Sequence, residues 1–334
     1  MILSFMLRRA LCGAVFAFSL STGAYAQDGT APVNNPVTPS NPATPSTTPP
    51  PPTDAPEEEA APTGFAFGAD LYYGTSNAPD AHRFRDGYWL GYGAFYPSNF
   101  YTNYNSANGT SGRVSVGVGK LYNGSVPGFD QPIEAYVSKP FGKTTVTAGK
   151  FFVPFELSEW VYESEWGLQA ARDWGKNDHL TAAVTYNRFR ETPNFYARYS
   201  RNFGSATIGA SLGGGTGFVG DTDHDRGGAL DFTLTHRRFR LEGVAELFQQ
   251  KNAASSRFLF AFARLNYHLD PKTNIYISRH SWFDRLDQQS NGQFSTVGAA
   301  YQVTKNLSIE GALSRSGEAN RTINFIQLHY TFER

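Results

Sequence analysis

The feature that most restricts the fold of this chain is a two-residue alternation of apolar and polar side chains, which recurs in segments of about ten residues. It begins near residue 64 and continues to the C-terminus, and residues 113–122 and 323–332 are clear examples. This period places successive side chains on opposite faces of a β-strand. After residue 64 no segment keeps a helical period, and no apolar run approaches the roughly 18 residues that a spanning helix needs. The sequence therefore predicts an all-β chain.

The connections between these segments alternate in length. The short ones are residues 141–143, 175–178, 202–205, 237–238, 270–272 and 304–306. The longer, polar ones are residues 153–165, 188–194, 213–227, 249–256 and 283–293. Tilted strands of about ten residues match the height of a bilayer, and a spanning sheet must close so that every backbone group is paired. Residues 64–334 are therefore predicted to form a transmembrane antiparallel up-and-down β-barrel.

The strand count rests on the same alternation. From residue 111 onward the sequence contains fourteen candidate strands, provided that residues 166–174 form one of them. Residues 64–74 and part of 87–101 add two more. Because single-chain bacterial barrels have an even number of strands, sixteen is the first expectation and fourteen the alternative. With sixteen strands, residues 98–112 are expected to form a long periplasmic turn.

The N-terminal part of the chain has the composition of an exported precursor. Residues 1–26 combine a basic start, a short apolar run and a small-residue cleavage motif, which together predict a signal peptide. Residues 27–63 are rich in Pro and Thr and cannot bury a core, so they are predicted to form a disordered periplasmic linker. A passive spacer is the favoured role and a tether to the cell wall is the alternative. The only cysteine, Cys12, lies in the predicted signal peptide.

Charge narrows the range of partners. The whole chain has a formal net charge of +0. Residues 64–334 carry an excess of about three basic residues, which is a mild preference for anions. Nucleic-acid binders usually show a stronger basic excess, so no nucleic-acid partner is expected.

One segment, "IEAYVSKPFGKTTVTAGKFFVPFELSEW" (residues 133–160), resembles the OmpL-like β-barrel porins and, more distantly, the phosphate-selective porins O and P. Three short motifs carry this resemblance: Ala135–Val137, Ala148–Phe151 and Pro154–Phe155. It implies an outer-membrane porin of a Gram-negative-type bacterium, which lets small hydrophilic solutes or ions diffuse through a water-filled barrel.

The chain departs from these families in two respects. Phe332 is followed by Glu333 and Arg334, whereas family members commonly end on the aromatic residue itself. The lysines are scattered along the chain rather than clustered, so phosphate specificity is not carried over.

In the hairpin that carries the resemblance, alternation predicts that Val137 and Ala148 lie on the lipid side. It also predicts Lys150 there, with its stem reaching the headgroups.

Strand parity supplies the candidate pore-lining residues. If the apolar side chains of the last strand face lipid, the alternate polar residues of each strand face inward. The candidates are Arg113, Glu134, Lys143, Arg198, Arg240, Glu242, Arg264 and Glu310. They could line a charged pore or pair as structural rungs. We expect most to pair, as Arg240 with Glu242, and Arg113 and Arg198 to line a constriction.

The long connection after Pro154 contains an acidic and aromatic stretch, residues 159–167. If this loop folds into the barrel, Glu159, Glu163 and Glu165 are candidates for a constriction that opposes inward arginines. The alternative is an external loop with its aromatic residues at the headgroup level. The sequence favours neither.

No motif indicates a metal, a cofactor or a catalytic site. Asp221, Asp223 and Asp225 are spaced like the start of an EF-hand loop, but Arg226 and Phe232 replace the residues that such a loop requires. The histidines lack paired metal-ligand spacing, and no Gly-x-Ser-x-Gly or phosphate-binding loop is present. The chain is therefore not expected to be an enzyme or to bind a cofactor.

The predicted function is that of a passive outer-membrane porin. The alternatives are a closed barrel with a structural or surface-adhesion role and, with less support, a barrel enzyme. A soluble exported β-domain is the alternative fold. Expected partners are outer-membrane lipids and lipopolysaccharide, small hydrophilic solutes and, as an open question, further copies of the chain in a homo-oligomer.

Overall fold

The computed structural model describes residues 63–77, 87–89, 95–118, 132–157, 164–187, 191–215, 224–250, 257–284, 292–317 and 321–334. The predicted signal peptide and, except for Thr63, the predicted linker lie outside these residues. The strands are β1 (Gly64–Ser76), β2 (Gly87–Trp89), β3 (Phe95–Pro97), β4 (Asn99–Asn105), β5 (Ser111–Gly117), β6 (Glu134–Phe141), β7 (Thr144–Phe152), β8 (Ser164–Trp174), β9 (Asp178–Asn187), β10 (Thr192–Asn202), β11 (Ala206–Gly215), β12 (His224–His236), β13 (Phe239–Gln250), β14 (Arg257–Asp270), β15 (Thr273–Asp284), β16 (Gly292–Thr304), β17 (Leu307–Ser316) and β18 (Arg321–Glu333).

Sixteen of these strands form a closed antiparallel barrel, which confirms the predicted fold and strand count. Strands β4 to β18 follow one another in chain order, and β1 closes the ring between β18 and β4. At the seam Leu71 pairs with Tyr330, and the backbone N–H groups of Phe67 and Arg334 each donate to the other residue's carbonyl at 2.9 Å. Strands β2 and β3 pair only with each other.

The expected long turn at residues 98–112 is wrong. This segment contains β4, which pairs with β1 and β5, and the turn is confined to residues 106–110. The strand is short and rich in asparagine, which disfavours β-structure. Its outward positions nevertheless carry Phe100, Thr102 and Tyr104, an alternation that fits a membrane wall.

The connections fall into two classes at the two ends of the barrel. Seven turns join the hairpins at the end where β18 finishes, at residues 106–110, 142–143, 175–177, 203–205, 237–238, 271–272 and 305–306. We call this the turn end and the opposite one the loop end. Gly142 and Gly204 hold positive φ angles of 63° and 83° in two of these turns, where a side chain would be strained.

Exposure alternates along the strands and shows which face is outside. Leu168, Val184 and Leu230 are 61%, 63% and 64% exposed, whereas the adjacent Thr185 and Asp231 are buried. An apolar exterior around a polar interior is the arrangement of a transmembrane barrel rather than of a soluble one. Within the described residues, no helix has the length and apolar character needed to cross a membrane.

The hairpin of β6 and β7 follows the predicted parity up to Gly149. Val137 and Ala148 are exposed, and the hydroxyls of Ser138 and Thr147 lie 2.7 Å apart on the buried face. Lys150 does not reach the headgroups as expected. It is buried, and its Nζ donates to the carbonyl oxygen of Pro132 at 2.8 Å. The regular alternation of exposure ends at Gly149, whose φ is 126°, because Lys150 and Phe151 are both buried.

Candidate functional site

The inner wall carries a ring of charged and hydrogen-bonded side chains in the half of the barrel nearer the turn end. We call it the charged belt. Its bonded groups are Arg113–Glu134, Arg198–Asp231, Arg240–Glu242–Arg264, Tyr276–Glu310, Asp70–His329 and Tyr101–Glu333. The members come from β1, from β4 to β6 and from most of the strands between β10 and β18, so the belt covers most of the circumference of the lumen.

Arg113 on β5 is held from three sides. Its Nε donates to Glu134 at 2.7 Å, and Nη1 donates to Asn103 at 3.1 Å. Its guanidinium lies 4.0 Å from the ring centroid of Tyr101. Ser115 adds a second donor to Glu134 at 3.3 Å. Because so many contacts fix its geometry, Arg113 is a rigid charge on the wall rather than a mobile one.

Arg198 on β10 and Asp231 on β12 form the ion pair with the most buried carboxylate of the belt's ion pairs. Two guanidinium nitrogens reach the two carboxylate oxygens at 2.7 and 3.3 Å, and the Asp231 side chain is 1% exposed. Gly209 on the intervening strand lies between the two side chains. A Cβ placed there would lie 2.4 Å from an Asp231 oxygen. The pair therefore spans β11 only because that position lacks a side chain.

Two other belt contacts are also made across a glycine. The hydroxyl of Tyr276 donates to Glu310 past Gly298, and that of Tyr101 donates to Glu333 past Gly68. A Cβ at Gly298 or Gly68 would come within 2.4 or 2.2 Å of the respective tyrosine ring. Three contacts of the belt therefore each join two strands across an intervening strand, at a position occupied by glycine.

The remaining sequence candidates differ in their surroundings. Glu242 accepts from Arg240 at 3.1 Å and lies 3.8 Å from Arg264, which gives one carboxylate two cations. Lys143 is not part of the belt, since it lies in the exposed turn between β6 and β7. On β15 the inward position belongs to His280, which is buried and whose ring centroid lies 4.5 Å from that of Phe262.

Nearer the loop end, the interior carries an aromatic cluster. Its buried members are Phe151, Val153, Phe155, Ala183, Tyr196, Ala229, Val244, Phe248, Phe260, Phe262 and Trp282. The sequence contained a signal for it, because residues 258–263 are apolar at successive positions and so leave no polar face on the first half of β14. The sequence analysis missed this cluster, because it expected only polar residues at inward positions.

Part of the connection after β7 lies inside the barrel. Residues 153–157, which we call the inner strap, pack Phe155 against Tyr196 and Phe248, with ring centroids 6.5 and 6.2 Å apart. The N–H of Glu156 donates to the Ser211 hydroxyl at 2.9 Å. Because these partners belong to β10, β11 and β13, the strap extends from β7 to a distant part of the inner wall.

The three carboxylates proposed for a constricting loop are not equivalent. Glu165 belongs to β8, where it is buried and accepts hydrogen bonds from Thr185 and, at 3.0 Å, from Asn194. It is therefore part of the wall. Glu159 and Glu163 lie outside the described residues. The carboxylate that the described strap does carry is Glu156, which sequence reasoning did not select.

The interior contains no candidate metal centre among the residues with described side chains. Asp221 and Asp223 lie outside the described residues, as does the side chain of Asp225. The described residues thus form an inner wall that is charged towards the turn end and apolar towards the loop end.

No family model matches the sequence, and no curated protein matches it. Solved structures match the fold. The anion-selective porin of Comamonas acidovorans is 10% identical, with a TM-score of 0.57 over 80% of this chain and 98% of its own. The trimer form of OmpT, an outer membrane protein of Vibrio cholerae, is 10% identical, with a TM-score of 0.56 over 81% of this chain and 100% of its own. A porin refined at 1.8 Å is 11% identical, with a TM-score of 0.52 over 80% and 99% of the two chains. At these identities the likeness concerns the fold.

Proposed function

We propose that this chain is an outer-membrane porin, through which small hydrophilic solutes or ions diffuse passively. The observation that carries this proposal is the combination of an apolar exterior with a charged belt around the interior of a closed sixteen-strand barrel. A barrel that needed only to be stable would have no use for ion pairs along its inner wall, because apolar residues fill an interior at lower cost.

The substrate class follows from the balance of charge in the belt. Its four arginines, Arg113, Arg198, Arg240 and Arg264, face six carboxylates, Glu134, Asp231, Glu242, Glu310, Asp70 and Glu333. A wall that carries charges of both signs gives a weak preference between cations and anions. The proposed porin is therefore non-specific, although one structural neighbour is an anion-selective porin. The resemblance of residues 133–160 to OmpL-like porins supports the same broad class.

We further propose the chain organisation that the sequence predicts: a signal peptide (1–26), a periplasmic linker (27–63) and the barrel (64–334). The turn end then faces the periplasm, because β1 starts and β18 finishes there. Self-association is compatible with this placement, since a structural neighbour forms trimers. A passive channel needs no catalytic group, and we propose no enzymatic activity for this chain.

The second candidate function is that of a closed barrel with a structural or adhesive role. The inner strap favours it, because Phe155 fills part of the lumen and is nearly inaccessible, at 1% exposed. If the strap and the aromatic cluster together block the lumen, no solute passes. The two candidates differ in one measurable property, which is conductance.

The deciding experiment is single-channel recording of the purified mature chain in planar bilayers, with a heat-modifiable gel shift to show that the barrel is folded. The porin proposal predicts discrete conductance steps. A folded barrel without current above background would contradict it and support the closed barrel.

A strap variant makes this experiment sharper. Phe155→Ala with Ser211→Ala removes the aromatic anchor and the hydroxyl that accepts from the strap, so conductance should rise. The matched control is Phe195→Ala, which removes an outward-facing ring from β10 and should leave conductance unchanged. If the strap variant gives currents where the unmodified chain gives none, the native barrel is closed by its strap.

A further inference from the structure

Three cations lie on the outer wall at the turn end, each beside an exposed aromatic ring. Each cation lies on β6, β8 or β10 and precedes its ring by two residues, and the third ring, Phe203, directly follows the end of β10. The two side chains of a pair are therefore on the same side of the wall. The distances from the cation to the ring centroid are 5.6 Å for Lys139 and Phe141, 5.7 Å for Arg172 and Trp174, and 5.5 Å for Arg201 and Phe203. We call these three pairs the basic–aromatic row.

The row faces the lipid side of the wall. Arg172 has the parity of Leu168, and Lys139 has the parity of the exposed Val137. Arg201 has the parity of the exposed Tyr199. The three cations are therefore outside the barrel, unlike the arginines of the charged belt.

The cations also form a regular series around the wall. They lie on β6, β8 and β10, which are the first strands of three consecutive hairpins. Neighbouring strands lie about 4.8 Å apart, so adjacent cations are about 10 Å apart along the hydrogen-bonding direction. All three lie within a few residues of a turn, which is the level of the membrane–water interface.

The rest of the wall differs at this level. The outward residues near the turns of the later strands include Phe239, Tyr301 and Phe332, and among the described residues no cation lies over any of these three rings. Other basic residues at this end of the later strands lie in the turns themselves, for example Lys272 and Lys305, or on the inner face, as Arg240 does. The row is thus confined to one sector of the circumference.

The row keeps a net positive charge. Arg201 lies 3.6 Å from Asp178, which compensates it in part. Among the described residues, no carboxylate lies within ion-pairing distance of Lys139 or Arg172. An anionic headgroup would supply the missing charge, since arginine and lysine bind phosphate well and interfacial aromatic rings pack against lipid.

We propose that the basic–aromatic row binds anionic phospholipid headgroups in the leaflet at the turn end, and so selects an anionic lipid annulus for one sector of the barrel. This inference depends on the proposed membrane location but not on conduction. It predicts that the barrel prefers phosphatidylglycerol to phosphatidylcholine and that the row is responsible for this preference.

Trp174 lies within the row and provides the reporter. The mature chain is folded in phosphatidylcholine vesicles, and its tryptophan fluorescence is quenched with brominated phosphatidylglycerol or brominated phosphatidylcholine. The row variant carries Lys139→Gln, Arg172→Gln and Arg201→Gln. The control variant removes the same charge from turns at the same end and carries Arg237→Gln, Lys272→Gln and Lys305→Gln.

The unmodified chain should bind phosphatidylglycerol several-fold more strongly than phosphatidylcholine. The row variant should lose most of this preference, whereas the control should keep it within about twofold, because a diffuse charge acts weakly. Equal losses in both variants, or no preference in the unmodified chain, would overturn the proposal. If the row variant does not fold, the single changes Lys139→Gln and Arg172→Gln take its place, each with a smaller expected loss.

Conductance of the same samples separates this inference from the proposed function. The row variant should conduct like the unmodified chain, because its changes lie outside the lumen. A chain that conducts without preferring anionic lipid would contradict only the lipid site. A chain that prefers anionic lipid without conducting would contradict only the porin.

Discussion

Arg198 and Asp231 place opposite charges on the same part of the inner wall, and the removal of either exposes the other. Arg198→Gln leaves an uncompensated carboxylate and should shift the ion preference towards cations. Asp231→Asn leaves an uncompensated guanidinium and should shift it towards anions. Reversal potentials measured across a KCl gradient report both shifts. Shifts of the same sign, or none, would mean that the pair is not exposed to permeating ions.

Gly209 gives a second test of this pair. Gly209→Ala would bring a Cβ to 2.4 Å from an Asp231 oxygen, so the pair must move apart, and overpacking of this kind costs about 1–3 kcal/mol. Gly311→Ala is the control, because its nearest contact would be an ordinary 3.8 Å. Unfolding by urea in lipid vesicles measures both variants. Equal stability losses would show that the close approach at Gly209 has no special role.

Individual residues also show where the sequence stops being informative. Parity placed Ser138 and Thr147 on the inner face, because strict alternation in β6 and β7 holds over those positions. It failed at Lys150, since a positive φ at the preceding glycine depends on the neighbouring strand and has no signature in the local pattern. The bond from Lys150 to the Pro132 carbonyl likewise joins two segments whose proximity only the fold determines.

Among the elements, β8 allows a direct comparison of its two faces. Leu168 is 61% exposed on the outer face, and Gln169 lies beside it on the inner face. Leu168→Arg should destabilise the barrel by about 2–4 kcal/mol near the middle of the bilayer. Gln169→Arg should cost less and change conductance instead. The free energy of unfolding in vesicles checks the first effect and single-channel recording checks the second.

The free-energy cost of an outward-facing arginine also depends on how deep its position lies in the bilayer. Val146 also faces outward, but it is paired with Lys139 close to a turn. Val146→Arg should therefore cost only about 0–1 kcal/mol, since the penalty for arginine falls near the interface. A cost for Val146→Arg equal to that for Leu168→Arg would mean that the hydrocarbon region extends further towards the turn end than the strand positions indicate.

Strand existence and parity were predictable because a period of two survives in almost every element. Strand β4 was harder to locate, because its three asparagines are residues typical of turns. Its pairing with β1 and β5 identifies it as a strand. For the connection after β7, the sequence allowed two interpretations, a loop folded into the barrel and an external loop. The inward course of the inner strap depends on Phe155 finding Tyr196 and Phe248 on strands far away in sequence, and no local pattern carries that information.

At the scale of the whole molecule, the barrel closes without the predicted linker. Strand β1 begins at Gly64 and completes the ring between β18 and β4, and backbone hydrogen bonds join Phe67 to Arg334. Every strand of the barrel therefore has both of its neighbours within residues 64–334. The ring is thus complete within residues 64–334.

Deletion of residues 27–63, with the signal peptide retained, should therefore leave a barrel that folds and conducts as before. The heat-modifiable gel shift and the single-channel conductance should match those of the full-length chain, because neither the charged belt nor the inner strap includes a deleted residue. A matched control replaces the segment by a Gly/Ser sequence of equal length and so preserves the spacing from the signal peptide. If the deletion abolishes folding but the replacement restores it, the segment acts as a spacer during assembly. If both lose conductance in a folded barrel, the segment itself contributes to the channel, and the assignment of the pore to residues 64–334 alone is wrong.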